Sequence, residues 1–298
     1  MEEFKSGFVA ILGRPNSGKS TLLNRFIGEK ISIVSPKPQT TRNKIAGIKT
    51  SENYQIIFED TPGIFKGRDK LSEFMQKSWE TARRNTDIIV YLIDGANGFN
   101  RKDFDIIDKF SKDDTVIFAV NKKDTAEPKD IFPILNELNK YQFAKEIIPI
   151  SAKTGENCDI LLDKIISLLK PGNKFYDDDA LTDKSERFMA AEIIREKILT
   201  FFNEEVPHGV GVSINKFETM NNGIYHIDCD IFADKPSHKS ILIGKDGSAL
   251  KKIAEKSRLD MEKAFNNKVF LTLFVKVREK WKENNNVLND IGYNKKDL

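Results

Sequence analysis

A glycine-rich stretch near the N-terminus constrains the fold of this chain more than any other feature. The segment Gly13–Thr21 matches the pattern G-x-x-x-x-G-K-[ST] and directly follows the apolar run Gly7–Leu12, which places it between a strand and a helix. In that setting, successive backbone N–H groups converge on phosphate oxygens. Lys19 supplies a charge for the β- and γ-phosphates, and the Ser20 hydroxyl is a ligand for Mg²⁺. We therefore expect a nucleoside polyphosphate to contact Gly13, Arg14, Pro15, Asn16, Ser17, Gly18, Lys19, Ser20 and Thr21.

A second motif selects the base of that nucleotide. The buried strand predicted over Thr115–Val120 leads into Asn121-Lys122-Lys123-Asp124, an N-K-x-D sequence at the edge where open α/β sheets bind ligands. A carboxylate at Asp124 can accept from N1–H and the 2-amino group of guanine, whereas adenine has neither donor. Ser151-Ala152-Lys153 follows another strand-like run and adds support around the guanine O6. The expected guanine contacts are Asn121, Lys122, Asp124, Ser151, Ala152 and Lys153.

Two loops between these motifs are predicted to sense the γ-phosphate. The strand Tyr54–Glu59 ends in Asp60-Thr61-Pro62-Gly63, where the carboxylate holds a Mg²⁺-bound water and the last N–H reaches the γ-phosphate. Loss of that phosphate would release the loop. Upstream lies a stretch without periodicity, in which one of Thr40 and Thr41, with Thr41 preferred, completes the Mg²⁺ shell. The residues expected to serve hydrolysis are Lys19, Thr41, Asp60 and Gly63, and Thr61 and Pro62 are expected at the nucleotide.

These motifs resemble those of the Era family of translation-factor-like GTPases. The resemblance covers almost the whole chain and implies a molecular switch that binds GTP and GDP with Mg²⁺ and hydrolyses GTP. Family members with asparagine at the position of Asn16 recruit K⁺ beside the phosphates; the alternative is that Asn16 only tolerates a tight loop. The family has an apolar residue after D-x-x-G, here Ile64, which cannot orient the attacking water as the glutamine of Ras-like proteins does.

One loop characterises the second half of the chain. Gly244-Lys245-Asp246-Gly247 joins two helix-like segments; alone it is more typical of a turn, but the surrounding α-β-β-α-α-β order resembles the type II KH fold. Residues 235–282 carry 13 basic and 5 acidic side chains, which indicates a phosphate-facing patch. We expect single-stranded RNA, and not DNA, to contact Ile243, Gly244, Lys245, Asp246, Gly247, Lys251 and Lys252.

Length and composition fit a cytoplasmic chain with two domains. The 298 residues are about twice a typical domain length, 39% are apolar and 31% are charged. Two cysteines without a C-x-x-C spacing predict neither a disulfide framework nor a zinc site. The acidic N-terminus and the absence of an apolar run of about 18 residues argue against secretion and a membrane span.

The predicted organisation has four parts. An α/β P-loop GTPase domain with a mixed six-stranded sheet flanked by helices covers 1–170, and a linker covers 171–186. An α+β type II KH domain follows over 187–282. The C-terminal extension over 283–298 resembles an Era segment that contacts RNA or packs on the KH domain, and we expect it to pack.

The resemblance also implies a target and a place in the cell. Era GTPases bind near the 3′ end of the small-subunit ribosomal RNA and assist maturation of the 30S precursor, a target that the residues themselves do not specify. Peripheral contact with the inner face of the cell membrane is attributed to the family, although this sequence has no strongly amphipathic basic helix to support it. We expect a monomer.

Three other functions compete with this interpretation. A metabolic P-loop ATPase or kinase explains Gly13–Ser20 but not Asn121–Asp124. An RNA-binding scaffold with little GTP turnover explains the second half, but intact Lys19 and Asp60 argue against it. The closest alternative is a potassium-dependent GTPase that acts on another RNA or on large-subunit assembly, which a single GTPase unit followed by G-x-x-G makes less favoured.

Overall fold

The computed structural model describes residues 3–63 and 67–294, which divide into two compact units. The first unit contains the phosphate-binding loop and the N-K-x-D loop and extends to Asp183. The second contains the short segment Ile33–Thr40, the described part of Lys66–Phe74 and the chain from Lys184 onward. Each unit has its own hydrophobic core. Ile64, the apolar residue after D-x-x-G, lies outside the described residues.

The first unit is built on a mostly parallel sheet in the order β2-β3-β1-β4-β5-β6, with β7 beside β1. Only the β2–β3 and β1–β7 pairs are antiparallel. The strands are β1 (Lys5–Gly13), β2 (Ile45–Thr50), β3 (Tyr54–Asp60), β4 (Ile88–Asp94), β5 (Val116–Asn121), β6 (Ala144–Pro149) and β7 (Lys170–Pro171). The helices are α1 (Lys19–Ile27), α2 (Lys70–Arg84), α3 (Arg101–Ile107), α4 (Pro128–Leu138) and α5 (Cys158–Leu168). Of α2, the residues from Met75 onward belong to this unit.

The central strands explain why the motifs meet. All residues of β4 and β5 are buried, as is typical of parallel strands covered on both faces. Gly13 at the end of β1 pairs with Leu92 of β4, and Asp94 at the end of β4 pairs with Asn121 of β5. The loops that follow these three strands therefore leave the sheet at the same edge, where the sequence predicts the nucleotide.

All six predicted strands are present, with small differences at the ends of elements. Helix α4 begins at Pro128, because proline suits the first helical turn and Glu127 and Asp130 form a capping box there. The two-residue strand β7 was not predicted. It adds a seventh strand to the sheet.

The first part of the predicted linker is hydrogen-bonded to the first unit. The Gln55 side-chain oxygen accepts from the backbone N–H groups of Phe175 (2.6 Å) and Tyr176 (3.0 Å). Further on, the Asp183 carboxylate accepts from the N–H of Ala46 at 3.0 Å. The chain thus follows β2 and β3 as far as Asp183 before the second unit begins.

The second unit has the predicted α-β-β-α-α-β order. Its sheet runs β10-β9-β8, with β8 and β9 antiparallel and β9 and β10 parallel. After β10, Trp281 is buried and its indole N–H donates to the carbonyl of Gly209 at 3.0 Å. In the extension, Leu288 is buried and Ile291 lies against Gly211 of β8, so its described part packs on this unit as expected. The elements are α6 (Glu186–Phe201), β8 (Val210–Thr219), β9 (Tyr225–Ala233), α7 (Pro236–Ile243), α8 (Ser248–Phe265), β10 (Val269–Val277) and α9 (Asn285–Asp290).

The segment Ile33–Thr40 groups with the second unit because α6 binds it. The Lys37 ammonium donates to carbonyls at the C-terminal end of α6, where the helix dipole favours a cation. The buried Arg195 guanidinium donates to the carbonyl of Thr40, and the Val34 N–H donates to a glutamate of α6 at 3.1 Å. Position in the chain assigned this loop to the first domain; its hydrogen bonds assign it to the second unit.

Cys158 and Cys229 are both buried free thiols. Across 3–63 and 67–294, no helix combines the length and apolarity needed to cross a bilayer.

Candidate functional site

The phosphate-binding loop requires glycine at two positions. Gly13 has φ 151°, and a Cβ there would lie 2.5 Å from the carbonyl oxygen of Leu92. Gly18 has φ 101°, and a Cβ there would lie 2.2 Å from the amide nitrogen of Asn121. Asn16 has φ 64°, a left-handed conformation that asparagine tolerates. The left-handed backbone is therefore a structural reason for asparagine at position 16 that does not involve potassium.

Lys19 is held inside this loop. Its ammonium lies 2.9 Å from the carbonyl oxygen of Arg14 and 3.2 Å from that of Gly13, and the residue is only 6% exposed. Burial lowers the pKa of Lys19 to about 8, and the charge of Asp60 opposes that shift. A buried ammonium beside the turn of the loop can meet the β- and γ-phosphates as a point charge.

Arg14 differs from the other loop residues because its side chain has a partner of its own. The guanidinium Nε lies 3.0 Å from a carboxylate oxygen of Asp103, and Nη2 donates to the carbonyl of Gly98 at 2.6 Å. Asp103 is fully buried in α3 and also accepts from the Tyr91 hydroxyl at 2.9 Å. Because the Arg14 side chain is held by these partners, we expect Arg14 to contact the nucleotide through its backbone.

Hydroxyl groups converge on one buried carboxylate at the predicted Mg²⁺ site. Asp60 is 0% exposed, and its Oδ2 accepts from Ser20 at 2.6 Å and from Thr41 at 3.3 Å, while the two hydroxyl oxygens lie 2.9 Å apart. The hydroxyl of Thr40 instead donates to the carbonyl of Lys37 at 2.6 Å. The structure thus places Thr41, and not Thr40, beside Ser20.

The oxygen set around Asp60 fits a hard divalent cation. Its second oxygen, Oδ1, is buried and has no hydrogen-bond partner among the described residues, so it is available to a ligand or its water. Burial raises the pKa of Asp60, and the charge of Lys19 and three hydroxyl donors oppose the rise. Hydroxyl and carboxylate oxygens with room for phosphate and water ligands suit Mg²⁺.

One of those three donors was not found from the sequence. Ser32 donates to the same Asp60 oxygen at 2.8 Å, and Asn24 of α1 holds the backbone of Ser32 by hydrogen bonds. No motif marks either residue, since Ser32 lies in a stretch without periodicity and Asn24 is one polar residue of a helix. Only the tertiary structure brings them to Asp60.

Asn121 ties the base-reading loops to the phosphate-binding loop. Its amide nitrogen donates to the carbonyl of Ser17 at 2.7 Å, and its amide oxygen accepts from the N–H of Ala152 at 2.9 Å. The Ser151 hydroxyl donates to the Asp124 carboxylate at 2.7 Å. Asp124 itself is exposed. The structure thus brings the N-K-x-D and S-A-K sequences together, and their contact with guanine stays a prediction.

Two further residues support this site. The Lys122 ammonium lies 2.6 Å from a carboxylate oxygen of Asp94, which fixes the side chain predicted to cover the base. Arg25 of α1 donates to the carbonyl of Lys153 at 2.5 Å. Asp94 could have been found from the sequence, because it directly follows a buried strand at the same edge of the sheet as Asn121. Arg25 carries no such signal.

The D-x-x-G loop lies against the phosphate-binding loop. Thr61 and Pro62 are buried, and the Thr61 hydroxyl donates to the carbonyl of Ile11 at 3.0 Å. A Cβ on Gly63 would lie 2.8 Å from the backbone nitrogen of Pro15. Only glycine permits this approach, which leaves the backbone of Gly63 next to the loop that holds the phosphates.

The G-x-x-G loop has the backbone shape that its sequence predicts. Gly244 and Gly247 both have φ 75°, and Asp246 has φ 51°. A Cβ on Gly244 would lie 2.7 Å from Ala249, whereas a Cβ on Gly247 would have nothing within 4 Å. Gly244 is thus needed for folding, and Gly247 leaves space on the outside of the loop.

The predicted RNA contacts surround that loop at the start of α8. Lys245, Asp246, Lys251 and Lys252 are exposed, while Ile243 is partly buried. The ammonium of Lys252 lies 4.5 Å from the centre of the Phe201 ring, a cation–π contact that holds it at the helix surface. Basic side chains and a helix N-terminus together favour phosphate groups at this surface.

Two family models match the chain. The model described as "50S ribosome-binding GTPase" matches residues 8–122, and the model described as "KH domain" matches residues 205–282. The first match contains the phosphate-binding loop, the D-x-x-G loop and the first part of the N-K-x-D loop. The second contains the G-x-x-G loop.

Curated relatives match nearly the full length. GTPase Era of Clostridium botulinum (strain Eklund 17B / Type B) is 45% identical over 294 residues, which cover 98% of this chain and 100% of the relative. GTPase Era of Clostridium perfringens is 45% identical over 294 residues, which cover 98% of this chain and 99% of the relative.

Two solved structures share both units. An Aquifex aeolicus Era variant bound to GDP·AlF4⁻ has a TM-score of 0.93 and 37% identity, with 97% of this chain and 99% of that chain covered. Era in complex with MgGDPNP and nucleotides 1506–1542 of 16S ribosomal RNA has a TM-score of 0.94 and 38% identity, with the same coverage.

Proposed function

This chain belongs to the Era family of GTPases, and from that premise we propose that it is a GTP-hydrolysing switch that binds single-stranded ribosomal RNA and assists maturation of the 30S subunit. The observation that carries the proposal is the edge of the first sheet, where Lys19, Asp60 and Asn121 bring the phosphate, metal and base-reading groups together. The full-length Era relatives and the Era complex with 16S ribosomal RNA support the small subunit as the target.

Each group at this edge has a separate role in GTP hydrolysis. When bound, Mg²⁺ neutralises charge that develops on the phosphates. Ser20 and Thr41 would hold the metal directly and Asp60 through water, while Lys19 and the loop N–H groups hold the phosphates in position. Asp124 selects guanine and Gly63 senses the γ-phosphate through its N–H. Catalysis then consists of positioning and electrostatic stabilisation.

Potassium is expected to accelerate the reaction more than sodium. With Ile64 unable to orient water, turnover of the isolated protein should be slow, below about 1 s⁻¹. Asn16→Gly is the suitable variant, because glycine keeps the left-handed backbone at φ 64° and removes only the side chain. The measurement is GTP hydrolysis in KCl and in NaCl. Equal rates in the two salts for the natural chain would show that Asn16 recruits no potassium.

RNA binding is expected to depend on the open side of Gly247. Gly247→Asp puts a negative charge where RNA phosphates must approach, so RNA affinity should fall at least about tenfold, while GTP affinity is unchanged. Gly247→Asn is the matched control, because asparagine has the same shape, tolerates positive φ and carries no charge. The probe is a single-stranded RNA with the 3′ sequence of 16S ribosomal RNA, and circular dichroism checks folding. An aspartate variant that binds this RNA as tightly as the asparagine variant would mean that the loop is only a turn.

A role in large-subunit assembly is the remaining alternative. It is favoured only by the description of the family model that matches residues 8–122, whereas the Era relatives match the second unit as well. Crosslinking followed by sequencing of the bound RNA distinguishes the two targets. A monomeric state and contact with the inner face of the cell membrane stay predictions.

A further inference from the structure

Three hydroxyl groups donate to one oxygen of Asp60, and only two of them have an assigned role. Ser20 lies 2.6 Å, Ser32 2.8 Å and Thr41 3.3 Å from Oδ2. Ser20 and Thr41 are the proposed Mg²⁺ ligands. Ser32 belongs to no motif, is 1% exposed, and faces a carboxylate that is itself fully buried.

Ser32 is held in place by the helix that follows the phosphate-binding loop. The Asn24 side-chain oxygen accepts from the backbone N–H groups of Ile31 at 3.0 Å and Ser32 at 2.9 Å. The Asn24 side-chain nitrogen donates to the carbonyl of Ser32 at 2.7 Å. Asn24 lies on α1, which begins at Lys19, so these three bonds connect Ser32 rigidly to the loop that binds the phosphates.

The three hydroxyls differ in whether they are proposed to ligate the metal. A hydroxyl that ligates Mg²⁺ must direct a lone pair at the metal, which limits where Ser20 and Thr41 can direct their single protons. Their oxygens lie 2.9 Å apart, so one can also donate to the other instead of to Asp60. Ser32 is not one of the proposed metal ligands, so its proton is available to Asp60 when Ser20 and Thr41 bind the metal.

We infer that Ser32 is a positioning residue for magnesium: its hydroxyl, fixed by Asn24, orients the Asp60 carboxylate beside the proposed metal ligands Ser20 and Thr41. The inference rests on the Mg²⁺-dependent GTPase function proposed above and deepens it. Groups that orient metal ligands in this way change metal affinity on the order of 10- to 100-fold when they are removed. Asp60 Oδ1 has no hydrogen-bond partner among the described residues, so it is available to a water molecule bound to the metal.

The test measures Mg²⁺ affinity without relying on turnover. Mg²⁺ that binds between the protein and the phosphates should slow the release of a fluorescent GDP analogue, so the release rate is followed as Mg²⁺ is raised from zero. For Ser32→Ala, the Mg²⁺ concentration at the midpoint should rise on the order of tenfold, while release in EDTA is unchanged. Ser32→Cys keeps the volume but is a weak donor, so it should resemble Ser32→Ala. Ser78→Ala removes another buried hydroxyl, one without a hydrogen-bond partner in the described parts of the chain, and should leave the midpoint unchanged.

Specific results would overturn the inference. An unchanged midpoint in folded Ser32→Ala, or a midpoint restored by cysteine, would mean that Ser32 only fills space. If Ser32→Ala changes the release rate in EDTA by as large a factor as it changes the release rate in Mg²⁺, the result would also mean that Ser32 only fills space. If Ser32→Ala does not fold, Asn24→Ala keeps the hydroxyl but frees its backbone; it should raise the midpoint, and an unchanged midpoint there contradicts the inference. Release from the natural chain that does not respond to Mg²⁺ would instead contradict the proposed metal site itself.

Discussion

Replacing Asp124 with asparagine should abolish the preference of this protein for guanine nucleotides. The Asp124 carboxylate is oriented by the Ser151 hydroxyl at 2.7 Å and is the only group of the site predicted to accept from both N1–H and the 2-amino group. An asparagine would keep one acceptor and set an amide N–H against the 2-amino group. A site built around substrate N–H groups discriminates on the order of 10⁴-fold when that pairing is lost, so GTP affinity should fall by about that factor.

Xanthine nucleotides provide the control for Asp124→Asn in the same protein. Xanthosine triphosphate keeps N1–H and has an oxygen in place of the 2-amino group, so an asparagine can accept from one and donate to the other. Its affinity should rise in the variant as GTP affinity falls, which an unfolded protein could not show. Equilibrium titration with both nucleotides measures this. Equal GTP affinity in the variant and the natural chain would show that Asp124 does not face the base.

Replacing Lys19 with alanine should nearly eliminate GTP hydrolysis in potassium and in sodium alike. The charge of the buried ammonium interacts with that of Asp60, and the ammonium lies 2.9 Å from the carbonyl oxygen of Arg14 in the phosphate-binding loop. Loss of one preorganised group that stabilises transition-state charge costs on the order of 10²- to 10³-fold in turnover. Phosphate release from GTP under single-turnover conditions separates this loss from weaker binding.

A matched control for Lys19→Ala lies in the N-K-x-D loop. Lys123 is paired with Glu156 on the surface and has no assigned contact with the nucleotide, so Lys123→Ala should leave turnover unchanged. Because removal of Lys19 takes away a charge that interacts with buried Asp60, circular dichroism and a thermal melt must show that the variant is folded. Turnover that survives in folded Lys19→Ala would mean that another cation meets the phosphates.

Much of this protein could be predicted because its signals are local. The apolar runs of β4 and β5 indicate buried parallel strands, and the glycines at 13, 18 and 244 all have positive φ, a local backbone conformation that favours glycine. These features depend on residues a few positions apart, which is the range over which periodicity and turn chemistry act.

The sequence by itself therefore determined the two kinds of domain, the order of their elements and the motifs for phosphate, guanine and RNA. The tertiary structure alone decided that Arg14 turns to Asp103, that Thr41 and not Thr40 meets Ser20, and that Ser32 reaches Asp60. It also decided that α6 binds the segment Ile33–Thr40. The reason is that each of these contacts joins residues far apart in the chain, and such a contact depends on how whole elements pack, which no local pattern of residues records.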